Sequence, residues 1–197
     1  MRVESIRQLF KAEVKRIEWK GEELGLLAFG EGKGQLLFTT NFANYPMPVP
    51  EKYAEFARIE LYFLLPNYWK TEVEDVLFQW AMETLIGIKN YLLQNRWAIS
   101  GHTFSLQNLP ESRFKESGFE ALMLADPLSL EALKNPIDSN NGALYFKALI
   151  PIFKREKELK VARGIQYLIG KFADKGVNEM VDEFRISTVK SRFLFWR

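Results

Sequence analysis

The sequence predicts a single α/β domain, residues 1–197, in which strands and amphipathic helices follow one another in mixed order. Apolar positions alternate in some segments, as in strands, and recur at three- and four-residue steps in others, as in helices. Apolar residues make up 47% of the chain and charged residues 26%, close to an ordinary globular protein. No low-complexity linker or internal repeat divides the chain, so we expect one core.

Composition argues against several classes of protein. The chain has no cysteine, which excludes disulfides, thiolate nucleophiles and thiolate metal ligands, and fits a reducing, cytoplasmic location. The N-terminus lacks the apolar run of a signal peptide, and no uncharged apolar stretch reaches about 18 residues, so we predict no membrane span. A net charge of +2 is too small to indicate a nucleic-acid partner.

The first third of the chain reads as a helix followed by a hairpin. Val3, Ile6, Phe10, Val14 and Ile17 follow helical steps, which predicts a helix over residues 3–19. Two strands are predicted at 24–29 and 35–40. The Gly-rich connection over 30–34 could suggest a phosphate loop, but a strand rather than a helix follows it, so a hairpin turn is the better interpretation.

The next segments predict a strand and a long buried helix. Three prolines over 46–50 indicate an extended connection, and 57–65 reads as a strand with Ile59 and Leu61 on one face and Glu60 on the other. Thr71 is the predicted N-cap of a helix over 72–94. Apolar residues lie on two sides of that helix, so it should be mostly buried, with Trp80 on its inner face.

In the C-terminal half, the sequence predicts further strands and helices in turn. The expected elements are strands at 121–124 and 144–153, helices at 156–174 and 177–184, and a strand-like tail at 187–196. Val161, Ala162, Ile165, Leu168, Ile169 and Phe172 should face inward. Lysines and glutamates alternate over 154–160, which favours a solvated helix face over an anion-binding patch.

His102 is the only histidine and the natural candidate for a catalytic base. Ser100 is near it in sequence, but no G-x-S-x-G motif positions a serine, and a lone imidazole makes a histidine-rich metal site impossible. We therefore expect a structural histidine that holds its loop by hydrogen bonding, and predict no catalytic, cofactor-binding or metal-binding residues.

Several segments, in order, resemble the Suppressor-of-fused domain family. They are the Pro-rich connection after Thr40, the run from Ile59 to Trp69, the Gly101-His102-Thr103 step, the segment from Ile150 to Glu158, and the C-terminal segment 181–185. The residues that carry the resemblance are Glu60, Leu61, Pro66, Trp69, Gly101, His102, Thr103, Pro151, Asp182 and Arg185. Asn41-Phe42 departs from the family, where a glycine-containing sequence is expected.

The resemblance implies an α/β (α+β) fold with a mixed sheet and flanking helices, without enzyme activity or cofactor. The chain looks like the compact bacterial single-domain form of the family. That form implies an immunity protein or antitoxin that binds and neutralises a cognate toxin. The alternative is a general binding or scaffolding module with another protein partner, and an enzyme is the weakest hypothesis. Exposed loops around 41–55 and 134–142 are the expected contacts.

Overall fold

The computed structural model describes residues 2–30, 32–109, 116–139 and 142–189. Within these ranges the chain forms eight strands and four α-helices, which confirms the predicted α/β class. The strands are β1 (Val14–Trp19), β2 (Glu22–Ala28), β3 (Gln35–Thr39), β4 (Ile59–Leu65), β5 (Thr103–Ser105), β6 (Phe119–Ala125), β7 (Ile137–Ser139) and β8 (Gly142–Phe153). The helices are α1 (Arg2–Phe10), α2 (Val76–Leu93), α3 (Lys154–Arg163) and α4 (Ile165–Ala173).

The strands form one mixed sheet in the order β1-β2-β3-β4-β8-β6-β5, with β7 paired to β8 beside this path. The first four strands are antiparallel neighbours, and β4 lies parallel to β8. Parallel neighbours need a long crossover connection, and the chain between β4 and β8 contains α2, β5, β6 and β7. The glycine connection before β3 is a hairpin turn, as predicted, with positive φ at Gly32 and Gly34.

Helices cover both faces of the sheet, which gives two apolar layers. Successive residues point to opposite faces of a strand, so Leu26 packs toward α2 while Leu27 packs toward α1 and α4. Ile6 of α1 and Phe172 of α4 are fully buried in the second layer. No helix in the described part of the chain is long and apolar enough to cross a membrane.

The long helix α2 is confirmed, but it begins later than the sequence predicts. Asp75 is its N-cap and accepts hydrogen bonds from the backbone N–H of Leu77 at 2.9 Å and Phe78 at 3.1 Å. Thr71, the predicted cap, instead donates to the Gln35 side chain at 3.1 Å. Trp80 is 2% exposed on the inner face, as predicted, whereas the helix also presents Lys89 inward to pair with Glu22.

Two predicted helices are wrong in extent. The segment 3–19 contains α1 and then β1, whose pairing with β2 places Val14 and Ile17 on opposite faces of the strand, each against one of the two apolar layers. The segment 156–174 contains α3 and α4, separated at Gly164, whose φ of +86° ends the first helix. This break turns Val161 and Ala162 outward, while Leu168 and Phe172 are buried as predicted.

The remaining predictions are confirmed in part. β6 and β8 are confirmed and are longer than predicted. β5 and β7 have no counterpart among the predicted strands, and β7 lies within 134–142, which was expected to be an exposed loop. Residues 177–184 form no helix, because this segment runs beside the end of β4, where Met180 and Leu64 form a parallel bridge and the Val181 N–H donates to Leu64 O at 2.8 Å. Residues 187–189 are not a strand, and the rest of the predicted tail, 190–196, lies outside the described residues.

Candidate functional site: the loop 99–103 and the C-terminal segment

The loop 99–103, which contains Gly101-His102-Thr103, is held by contacts from two directions. The Gly101 N–H donates to Leu124 O at 2.7 Å, and the Leu124 N–H donates to His102 O at 2.8 Å, which ties the loop to β6. From α3, Lys160 Nζ donates to Gly101 O at 2.7 Å. Gly101 has a φ of +101°, a conformation that a glycine adopts without strain. Thr103 then begins β5.

The loop forms one wall of an open groove of about 490 Å³, and α3 and α4 form the other wall. Its lining combines polar groups of the loop with Lys160, Val161 and Ile165 of the helices. Burial, with the nearby charge of Lys157, lowers the pKa of the Lys160 ammonium from its ordinary value. The groove is therefore partly apolar, with a cation at one side.

The two residues that the sequence suggests for chemistry, Ser100 and His102, have different partners. Ser100 Oγ accepts a hydrogen bond at 3.2 Å from Lys147, which is 2% exposed and ion-paired with Asp126. His102 is exposed, and its Nδ1 lies 3.1 Å from the backbone N and O of Ile99. Among the described residues, neither side chain hydrogen bonds the other, so no base is positioned on this serine.

Lys147 Nζ makes further contacts besides the hydrogen bond to Ser100. It forms an ion pair with the Asp126 carboxylate and lies 4.5 Å from the centroid of the Phe56 ring. The arrangement is therefore suited to holding the loop and β8 together.

His102 contacts its own loop and one aromatic neighbour. Its ring packs edge-on against Trp97, with centroids 5.1 Å apart. We expect His102→Ala to lower the free energy of unfolding by about 1 kcal/mol, since it removes one local hydrogen bond and one ring contact. Urea denaturation measures this, with Gln107→Ala as an exposed control in the next segment. An unchanged stability, or a hydrolytic activity that disappears in His102→Ala, would contradict the structural role.

The C-terminal segment of the resemblance is held by a buried ion pair. Arg185 donates both Nη groups to Glu156, at 2.8 Å each, and Nη2 also donates to Pro151 O at 2.7 Å. Glu156 is fully buried and Arg185 is 8% exposed in its side chain. The guanidinium is also surrounded by three aromatic rings. The distance from Arg185 Cζ to the ring centroid is 5.2 Å for Phe119, 4.9 Å for Phe153 and 5.2 Å for Phe172.

The surroundings of Glu156 favour its charged form despite its burial. Burial alone would raise the pKa of this carboxyl. The hydrogen bonds and charge of Arg185, with the N–H groups of Thr188 and Phe153, outweigh burial and hold the pKa below its ordinary value. Glu156 thus joins β8, α3 and the C-terminal segment through one carboxylate.

The end of β4 is tied to the same segment. Pro66, buried after β4, accepts the Trp69 N–H in a turn, and Trp69 Nε1 donates to Glu183 at 2.8 Å. Asp182 accepts hydrogen bonds from the Tyr68 hydroxyl and the Phe184 N–H, both at 2.9 Å. Residues separated by more than a hundred positions in the sequence therefore meet at one end of the sheet.

Two further buried carboxylates anchor connections. Glu60 accepts from the Thr39 hydroxyl at 2.5 Å and from the N–H groups of Phe42 and Ala43 at 3.1 Å, which holds the 3₁₀ turn Phe42–Asn44 against β4. Its neighbour Leu61 is fully buried. These hydrogen bonds fix the connection after β3 against β4.

Glu179 was not found by reasoning from the sequence. It is fully buried and accepts from the N–H groups of Leu128, Ser129 and Leu130 and from the Ser129 and Tyr62 hydroxyls. Its sequence context, next to Met180 and Asn178, carries no periodic signal. Within the described residues, no group of three or more histidine, aspartate or glutamate side chains is arranged to hold a metal ion.

The comparison with solved structures shows the fold of the chain. A SUFU homologue from Neisseria gonorrhoeae aligns over 96% of this chain and 95% of its own, with a TM-score of 0.67 and 14% identity. A chain of the Sufu-Fu complex aligns over 94% of this chain and 90% of its own, with a TM-score of 0.60 and 14% identity. Drosophila Suppressor of Fused aligns at a TM-score of 0.57 and 12% identity, and the match covers 94% of this chain but half of the Drosophila chain.

Sequence comparison identifies the family. No curated protein shows a significant match to the sequence. The family model of Suppressor of fused protein (SUFU) matches residues 22–185, which include every residue that carries the resemblance. The chain therefore belongs to the Suppressor of fused protein family.

Proposed function

We propose that residues 1–197 act as one non-catalytic, cytoplasmic protein-binding domain, and that the chain is a bacterial immunity protein that neutralises a cognate toxin by direct binding. Family membership supports the protein-binding part of this proposal, because a chain of similar fold occurs in the Sufu-Fu complex. The immunity role rests on the resemblance to the compact bacterial single-domain form. The separation of Ser100 from His102 supports a function without catalysis. The buried carboxylates support it as well, because their hydrogen bonds stabilise connections inside the domain.

Neutralisation by binding makes a physical demand that a domain of this size can meet. A stable interface buries about 1,200–2,000 Å² in total, roughly a tenth of a small protein's surface on each side. An antitoxin also needs slow dissociation, since a small free fraction of toxin does damage, and affinity is tuned mostly through the off-rate. The loops around 41–55 and 134–142 stay candidates for contacts, and Tyr45 in the first loop is 58% exposed.

The test is co-expression of this chain with the product of the neighbouring gene, followed by purification through a tag on this chain. We expect a stable complex and restored growth when that product is toxic. A complex with a non-toxic partner would favour the scaffolding alternative. Failure to recover any partner, together with turnover of a small substrate by the purified chain, would overturn the proposal.

A further inference from the structure

The outer surface of α3 is more basic than its sequence indicates. Lysines, arginines and glutamates alternate along Lys154–Arg163, but Glu156 is fully buried and paired with Arg185. The helix therefore keeps one acid, Glu158, outside the core, against five basic residues: Lys154, Arg155, Lys157, Lys160 and Arg163. The exposed side of α3 is solvated, as predicted, but Glu156 does not contribute to it.

Two grooves meet on this helix. The groove beside the loop 99–103 is followed on the other side of α3 by a second one of about 360 Å³, lined by Glu120, Lys154, Lys157, Glu158, Val161 and Ala162. Val161 lines both grooves and is 76% exposed. An exposed aliphatic side chain between two grooves offers an apolar contact that water solvates poorly.

The charges are arranged around this apolar contact. Lys154 and Lys157 line the second groove, and Lys160 lines the first. Lys157 lies 3.5 Å from Glu120, and both side chains are about one third exposed, so this pair is weak and open to competition by another carboxylate. Glu120 and Glu158 also line the second groove, so the α3 surface carries five basic residues against two acidic ones and is net positive around an aliphatic contact. Lys154, Lys157 and Lys160 form what we call the lysine rim.

We propose that the α3 surface, defined by Lys154, Lys157, Lys160 and Val161, is the docking site for an acidic segment of a protein partner that presents an apolar side chain to Val161. The lysine rim favours a partner segment that carries negative charge, and Val161 favours a partner that places an apolar side chain against it. A nucleic acid fits less well, because its phosphate backbone offers no apolar side chain to Val161. This inference rests on the proposed function and names the partner's chemistry.

The test uses the partner recovered with the tagged chain and compares matched variants of the full chain. Lys154→Glu/Lys157→Glu reverses the rim, Val161→Gln removes the anchor, and Lys11→Glu/Lys15→Glu makes the same change in net charge at residues near the opposite edge of the sheet. We expect the rim reversal to weaken binding about tenfold to a hundredfold, and the matched control to change it less than about twofold. Val161→Gln should weaken binding about tenfold, because its exposed side chain contributes little to folding.

Salt dependence provides a second readout. Binding of the unmodified chain should weaken as salt is raised, and the rim reversal should flatten that dependence. Equal affinity of the unmodified chain and both α3 variants would overturn this inference while leaving the proposed function intact, particularly if Tyr45→Ala weakens binding. Binding of an oligonucleotide or of phosphatidylglycerol vesicles through the same lysines, with no effect of the variants on the protein partner, would also overturn it. Failure of the unmodified chain to bind any partner would instead count against the proposed function.

Discussion

Replacing Arg185 with leucine should lower the free energy of unfolding by about 3–5 kcal/mol, the range for removing one partner of a buried ion pair. The leucine keeps apolar volume among Phe119, Phe153 and Phe172, but it leaves the Glu156 carboxylate buried without its cation. It also removes the hydrogen bond to Pro151 O. Equilibrium urea denaturation measures the loss.

The controls separate the ion pair from surface charge. Arg163→Leu changes an exposed arginine at the end of α3 and should shift stability by less than about 0.5 kcal/mol. The double variant Glu156→Gln/Arg185→Leu should lose less than the sum of the two single variants, because it leaves no unpaired buried charge. A loss below about 1 kcal/mol in Arg185→Leu would show that the pair is not formed.

Acidification provides a second test of the same pair. In the unmodified chain the pKa of Glu156 is lowered, so its contribution is complete above the ordinary value of 4.5 and is lost as the pH falls toward the lower folded value. In Arg185→Leu, burial without the cation raises the folded pKa, so the penalty of the buried charge is relieved as the pH falls. The stability difference between the two proteins should therefore narrow between neutral pH and about pH 4, and a constant difference would contradict this assignment.

The sheet could be predicted from the sequence because its strands carry continuous or alternating apolar runs. β4 is buried along its whole length and β8 is buried from Phe146 to Ile152, and the apolar character of these runs is recognised without tertiary information. β1 was mistaken for part of a helix because Val14 and Ile17 are three positions apart, a spacing that keeps two side chains on one helix face. In the strand they point to opposite faces, and each contacts one of the two apolar layers. The pairing of β1 with β2, which decides between them, depends on residues outside the segment.

The candidate site depended on pairings that the sequence does not show. Glu156 and Arg185 are 29 positions apart, and Glu156 stands in a run of charged residues that is typical of a solvated helix. The burial of that carboxylate, which the sequence does not show, leaves Glu158 as the one acid on the outer side of α3. Trp69 and Glu183 are likewise joined by the close approach of the chain's C-terminal segment to the end of β4.

Trp80→Ala should also cost about 3–5 kcal/mol, because truncating a large core aromatic removes its buried area and leaves a cavity. The Trp80 side chain is 2% exposed and stacks on Phe63 of β4, with ring centroids 5.7 Å apart and planes 27° apart. This contact lies in the layer that joins α2 to the centre of the sheet. The cavity would therefore open between two rigid elements that cannot easily collapse into it.

Urea denaturation measures the loss of stability in Trp80→Ala, and Val76→Ala is the matched control. Val76 lies on the same helix and is 63% exposed, so this control separates the effect of lost burial from the effect of helix propensity. Val76→Ala should be neutral or slightly stabilising, since alanine is the better helix former. Trp80→Phe retains most of the apolar ring and should cost clearly less than Trp80→Ala. If Trp80→Ala lost less than about 1 kcal/mol, the indole would not lie in the core, and α2 would have to be rotated on the sheet.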